Sequence, residues 1–251
     1  MNGLNKISLQ LNKDINDEIS KFKYTNNSVT KLKVHINNCI LYNLQNLFPN
    51  VSKITIKSIF KYDDKKSYLE IQENPNCKVN KIKIYMPSYI NTKLFCQSFE
   101  KLEYIEFFIN QKIDLVKSFP IFNPNCKIIF HNLISFKFKS KEYKISYNIV
   151  NNISKNINNM PNLKNFEFHY ENDDYDDKKF NNFIEKILSL KFIKTIKIRF
   201  VLGYNYVYEK VKEIKYSKND IQNLFPQINL NKLYILDITK EKVEKKDCLI
   251  I

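Results

Sequence analysis

Three histidines, five cysteines and one dense acidic run are the residues whose types could do chemistry in this chain. His35, His131 and His169 share no HxH, HxxxH or HExxH spacing, so they do not read as a zinc-ligand set. Cys39, Cys77, Cys96, Cys126 and Cys248 are odd in number and include no CxxC pair, which signals neither zinc nor a disulfide framework. The run HYENDDYDD, from His169 to Asp177, is rich in oxygen ligands. Started at Asp173, it lacks the turn glycine and closing glutamate of a calcium loop. Capping a following helix is its expected role. No Ser/His/Asp or Cys/His set can be assembled, and the only glycines are Gly3 and Gly203. Phosphate-cradling loops and nucleophile elbows need more glycine than that. No catalytic residue, metal or cofactor is expected, and the chain reads as a non-enzyme.

The last four residues, Cys248, Leu249, Ile250 and Ile251, have the form of a C-a-a-X box. Lys240, Lys242, Lys245 and Lys246 lie just upstream and could supply the second signal that a single lipid needs for membrane attachment. Cys248 is therefore the candidate lipidation site, on a protein held at an anionic cytosolic membrane face. The competing reading is a terminal segment that happens to end this way. The start, MNGLNKISLQLNKD, has no apolar signal region, and no apolar run approaches a membrane span, so a cytoplasmic protein with reduced thiols is expected.

The formal charge is +15. Such an excess suits nucleic acid, an anionic membrane or an acidic protein. Lys, Asn, Ile, Tyr and Phe dominate and Trp is absent, so AT-rich codon usage is a second source of the charge. Arg199 is the only arginine, which argues against a sequence-specific DNA reader built on bidentate guanine contacts.

The elements that must position any site recur along the chain. The pattern apolar-x-x-apolar-x-apolar appears at Leu4/Ile7/Leu9, Val29/Leu32/Val34, Val51/Ile54/Ile56, Val79/Ile82/Ile84 and Leu102/Ile105/Phe107. It returns at Leu133/Phe136/Phe138, Leu163/Phe166/Phe168, Ile193/Ile196/Ile198 and Leu230/Leu233/Ile235. Stretches such as KITIK, SFKFK and TIKIR alternate with period two, which marks strands with one buried face. Helical spacing lies between them, most clearly at Phe180, Phe183, Ile184, Ile187 and Leu188, and also in LYNLQNLF from Leu41, from Ile149 to Met160, and in IQNLF from Ile221. An ordinary α/β sheet domain explains the alternation of strand and helix, but not nine copies of one spacing.

The pattern resembles the leucine-rich-repeat family, whose core is L-x-x-L-x-L-x-x-N. Asn37 and Asn110 stand at the family's asparagine, while other copies carry residues such as Ile59 or Ile238 there. The uneven spacings are nearest to the long, ribonuclease-inhibitor-like subtype. Met86 to Phe107 is similar to degenerate repeats of AT-rich amoebal proteins. The resemblance implies an α/β solenoid, a horseshoe of about nine irregular strand-helix repeats with a parallel concave sheet. It would occupy residues 1–239, with a lysine-rich tail over 240–251.

Residues between the apolar positions of each strand should face outward together. One column holds Lys6, Lys31, Lys53, Lys81, Tyr104, Ser135, Asn165, Thr195 and Lys232. The next holds Ser8, Lys33, Thr55, Lys83, Glu106, Lys137, Glu167, Lys197 and Tyr234. The third holds Gln10, His35, Lys57, Tyr85, Phe108, Lys139, His169, Arg199 and Leu236. The expected partner surface is basic with aromatic anchors, comprising Lys53, Lys81, Lys83, Tyr85, Tyr104, Phe108, Lys137, Lys139, Lys197 and Arg199. An acidic protein is the expected partner. A non-specific nucleic-acid surface and a substrate-recognition subunit of a larger complex are the alternatives, and no F-box is recognisable in the first forty residues.

Overall fold

The computed structural model describes residues 5–11, 25–36, 47–58, 78–85, 101–109, 120–140, 148–172, 177–202 and 209–245. Period-two alternation becomes strand where it was expected: β1 (Lys6–Leu11), β2 (Lys31–Ile36), β3 (Lys53–Ser58), β4 (Lys81–Tyr85), β5 (Tyr104–Ile109), β6 (Ser135–Ser140), β7 (Asn165–Asn172) and β8 (Thr195–Leu202). Two more follow, β9 (Glu209–Tyr216) and β10 (Ile235–Lys245). They form one open α/β sheet in the order β1-β2-β3-β4-β5-β6-β7-β8-β10-β9. Neighbours are parallel except β9, which pairs antiparallel with β10.

The first eight strands align in the expected columns, for example Lys31 with Lys53, Lys81 with Tyr104, and Asn165 with Thr195. The same backbone step sets the register at each parallel junction. The carbonyl of Asn5 accepts from the N–H groups of Thr30 and Lys31, and that of Thr30 accepts from Ser52 and Lys53. The last such step runs from the carbonyl of Lys194 to Tyr234 and Ile235.

That step corrects the ninth copy. Ile235 stands beside Thr195 and Ile238 beside Ile198, so the apolar triplet is Leu233/Leu236/Ile238. The window beginning at Leu230 satisfies the same letters, but Leu230–Lys232 is a 3-10 turn in which the Asn229 side chain accepts from the Asn231 N–H. Lys232 therefore does not join the outer columns. Its ammonium donates to the carbonyls of Leu188 and Leu190 at 3.0 and 2.9 Å. Leu236 packs against the core instead of facing outward. A further difference concerns the lysine-rich tail. β10 carries the chain through Lys245, and Lys240 is only 2% exposed.

The core lies against the inward face of the sheet. Phe138 stacks on Phe168 at 5.0 Å between ring centres, and Phe136 on Phe166 at 5.6 Å. Phe122, from the 3-10 turn Pro120–Phe122, meets Phe107 at 5.2 Å and Phe138 at 5.6 Å, edge to face. Three α-helices are described: α1 (Asn148–Asn156), α2 (Asp177–Ser189) and α3 (Lys218–Leu224). Helix α2 has the expected spacing, with Asp177 in its first turn and Lys186 in its last, and buries Phe180, Phe183, Ile184, Ile187 and Leu188. Helix α3 starts with a capping box between Ser217 and Asp220. The helix expected from Leu41 falls largely outside the described residues, although Leu47 and Phe48 pack against the core. Asparagines tie the layers together. Asn152 donates to the carbonyl of Phe122 at 2.8 Å, and Asn156 to those of Ile121 and Asn123 at 2.9 and 2.7 Å.

Candidate functional site

A strand with one face packed must present every second side chain on the other face. The inward residues of β2 to β8 are sealed, with Leu32, Ile54, Ile82, Ile105, Phe136, Phe166 and Ile196 all at most 3% exposed. Lys53, Lys81, Lys83, Tyr85, Tyr104, Phe108, Lys137, Lys139, Lys197 and Arg199 therefore share the outer face, as expected. The structure changes the charge reading of that face.

From β4 onward the middle column alternates in sign: Lys83, Glu106, Lys137, Glu167, Lys197 and, in the corrected register, Asp237. Lys83 and Glu106 form an ion pair, and the Tyr104 hydroxyl donates to the same carboxylate at 2.6 Å. Glu167 accepts from Lys137 at 2.8 Å and from Lys139 at 2.6 Å. Arg199 holds Glu241 with Nε at 2.6 Å and Nη2 at 2.5 Å. Burial alone would raise the Glu106 carboxyl; hydrogen bonds from Lys83 and Tyr104, with the charges of Lys83 and Lys137, outweigh it and hold the group below the ordinary carboxylate range. Glu167 is lowered in the same way, burial being outweighed by Lys137 and Lys139. Burial first, and then its bond to Glu106, push the Tyr104 hydroxyl up, so it remains a donor.

The β1–β4 half is different. The described segments that carry these strands contain no Asp or Glu. Their outward columns hold Lys6, Lys31, Lys33, Lys53, Lys57, Lys81 and Lys83. Among the described residues, only Lys83 of these seven pairs with a carboxylate. Burial, then the charges of Lys83, Lys31 and Lys81, lower the Lys53 ammonium against an opposing pull from Glu106. Burial, then Lys33 and Lys57, lower His35. Neighbouring strands lie about 4.8 Å apart, so these like charges are crowded.

Comparison of the chain with protein-family models, curated proteins and solved structures finds no match. The site is therefore argued from its own geometry. The aromatic anchors are partly committed. Tyr85 and Phe108 pack at 5.9 Å, Lys57 sits 5.1 Å over the Tyr85 ring, and Lys83 sits 5.4 Å over that of Tyr104.

The other chemical candidates stay apart. His35 on β2 and His169 on β7 lie on the outer face five strand positions apart, and His131 is in the turn before β6. Burial and then Arg199 lower His169, which favours the neutral ring. Among the described residues, no group of three or more His, Cys, Asp or Glu converges for a metal. Asp173, Asp174 and Asp176 of the acidic run lie outside the described residues, as do Cys248 and the asparagines Asn37 and Asn110. Asp177, the end of that run, pairs with Lys240 across the start of α2. Among the described residues, no helix is long and apolar enough to cross a membrane.

Sequence reasoning had Glu106 and Glu167 in its columns but did not weigh them against the lysines. It missed Asp237 and Glu241. Asp237 was hidden by the shifted ninth copy, and Glu241 by treating residue 240 onward as a tail.

Proposed function

We propose that this chain is a non-enzymatic interaction scaffold of the leucine-rich-repeat type, binding an acidic protein partner through the outer face of its sheet. The observation that carries the reading is the contrast between the two halves of that face. From β5 onward, cationic side chains hold carboxylates of the chain itself. On β1–β4 the outward cations other than Lys83 lack such partners among the described residues. Carboxylates of a second protein would complete there the pairing already seen beside it, and charge complementarity of this kind steers association and fixes register.

A polynucleotide fits less well. It needs an unbroken basic track and ring faces open for stacking. Here Glu106 and Glu167 interrupt the middle column, and Tyr85 is already in contact with Lys57 and Phe108.

The test is zero-length carbodiimide coupling, which joins a lysine ammonium directly to a partner carboxylate. Coupled partner peptides should map to Lys31, Lys33, Lys53, Lys57 and Lys81, whereas Lys83, Lys137 and Lys139 should couple to the chain's own Glu106 and Glu167. Replacing Lys83→Gln, Tyr85→Ala and Lys137→Gln together should abolish partner retention. Undiminished retention, or coupling confined to lysines off this face, would overturn the reading.

A further inference from the structure

Thr55 lies at the centre of the β1–β4 half, whose described segments contain no Asp or Glu. Lys33 and Lys83 flank it on the adjacent strands, and Lys53 and Lys57 stand two residues away on its own strand. The surrounding corners are Lys31, Lys81, His35 and Tyr85. This block of nine outward positions thus contains six lysines and no acid. The equivalent block around Lys137 contains two lysines and two glutamates, with Tyr104, Ser135, Asn165, Phe108 and His169 completing it. Cross-strand neighbours are about 4.8 Å apart, and residues i and i+2 about 6.6 Å apart. Four ammonium stems therefore rise around one hydroxyl within the reach of a single small anion.

The carboxylates bound within the chain show what each anion takes. Glu106 has two donors, Lys83 and Tyr104, and Glu167 has two, Lys137 and Lys139. Above Thr55 there is more. Lys33, Lys53 and Lys57 have no carboxylate partner among the described residues, Lys83 lies alongside, and the Thr55 hydroxyl is central. One carboxylate would leave most of that charge uncompensated. A phosphoryl group carries about −1.5 to −2 charge at neutral pH and three terminal acceptor oxygens. Three lysines and a hydroxyl offset that charge and supply at least one donor group for each terminal oxygen.

We infer that the outer face above Thr55 is a binding site for a phosphorylated side chain of the partner, held by Lys33, Lys53 and Lys57 with the Thr55 hydroxyl. The inference rests on the scaffold reading above and names the group that anchors it. Burial is the larger cause of the lowered Lys53 and His35, and positive neighbours add to it at both. The carboxylates of Glu106 and Glu167 on the same column confine a dianion to the β2–β4 block.

The experiment is fluorescence polarisation on the full chain with labelled degenerate peptide pools that differ only in a fixed central phosphoserine, glutamate or serine. The phosphoserine pool should bind at least about tenfold more tightly than the glutamate pool. Inorganic phosphate should compete. The combined Lys33→Gln, Lys53→Gln, Lys57→Gln variant should reduce the phosphoserine pool to the serine level. Lys155→Gln, Lys178→Gln and Lys186→Gln together remove equal charge from the helices and should leave the preference intact. Circular dichroism verifies that each variant is folded. Equal binding of the phosphoserine and glutamate pools overturns the phosphate site while leaving the acidic-partner reading standing. Loss of preference in the helix variant shows a diffuse charge effect and also overturns the site. Binding of neither pool overturns the site, and the carbodiimide experiment then decides the scaffold reading separately. Tighter binding of a short oligouridylate, with the same dependence on Lys33, Lys53 and Lys57, overturns both in favour of nucleic acid.

Discussion

Glu106 shows at the scale of one residue how the face is held together. Its side chain is 16% exposed, close to Lys83 and to the Tyr104 hydroxyl, in a position where an unpaired carboxylate would be costly. Its folded-state pKa is lowered, so the folded protein binds fewer protons than the unfolded chain across the acidic window. The stability it contributes is present above the unfolded carboxylate pKa and is lost as pH falls through the folded value. Glu167 behaves in the same sense. Glu106→Gln should therefore cost about 1 kcal/mol at neutral pH, measured by urea unfolding. The gap between wild type and variant should close as the pH is taken below the carboxylate range. A gap that persists unchanged in acid would mean that shape, not charge, accounts for the cost. Glu106 was legible as an outward residue from the alternation YIEFF, but its depressed pKa was not, because that depends on a lysine one strand away.

At the scale of elements, β10 is where the sequence reading and the structure part. The letters of the repeat fit Leu230/Leu233/Ile235 and Leu233/Leu236/Ile238 equally. The choice is made by the turn that Asn229 caps and by the hydrogen bonds from Tyr234 and Ile235 to Lys194, neither of which a spacing rule contains. Strand β9 was missed for a related reason. EKVKEIKY carries the same loose spacing, but an apolar pattern does not specify strand direction, and β9 runs antiparallel to β10. The shift moves Lys240 from an assumed tail to the inward face of β10. There it is 2% exposed, pairs with Asp177 and lies 5.1 Å from the centre of the Phe180 ring. Only the lysine end of this pair is buried, Asp177 being 60% exposed, and a desolvated cation rarely stabilises more than a well-packed apolar side chain. Lys240→Met should be neutral or raise the thermal midpoint, whereas Asp177→Ala should lower stability by about 1–3 kcal/mol. A large loss in Lys240→Met would show that the pair determines how α2 docks on β10.

At the scale of the whole molecule, the outer face has two halves built on one lattice. The sign alternation from Lys83 to Asp237 was nearly legible in the sequence columns, because five of its six residues were already aligned there. What the columns could not show was which lysines find acids, since pairing depends on side-chain reach. The alternation stops at Thr55, where a glutamate would continue it between Lys33 and Lys83. Thr55→Glu therefore separates stability from binding. A favourable cross-strand charge pair contributes about 0.2–1 kcal/mol, and a chain of this size gains about 2–4 °C in melting temperature per kcal/mol. The variant should melt about 1–2 °C higher at low salt, with the gain fading as salt screens it. It should also lose the phosphoserine-pool preference, because a tethered carboxylate then occupies the lysine cluster. A protein selected for folding alone would gain from that glutamate; one selected for capture leaves the position to an anion from outside. If Thr55→Glu lowers the melting temperature at every salt concentration, the lysines around it are not crowded enough to need a counter-charge, and the electrostatic basis for placing the partner on β2–β4 is lost.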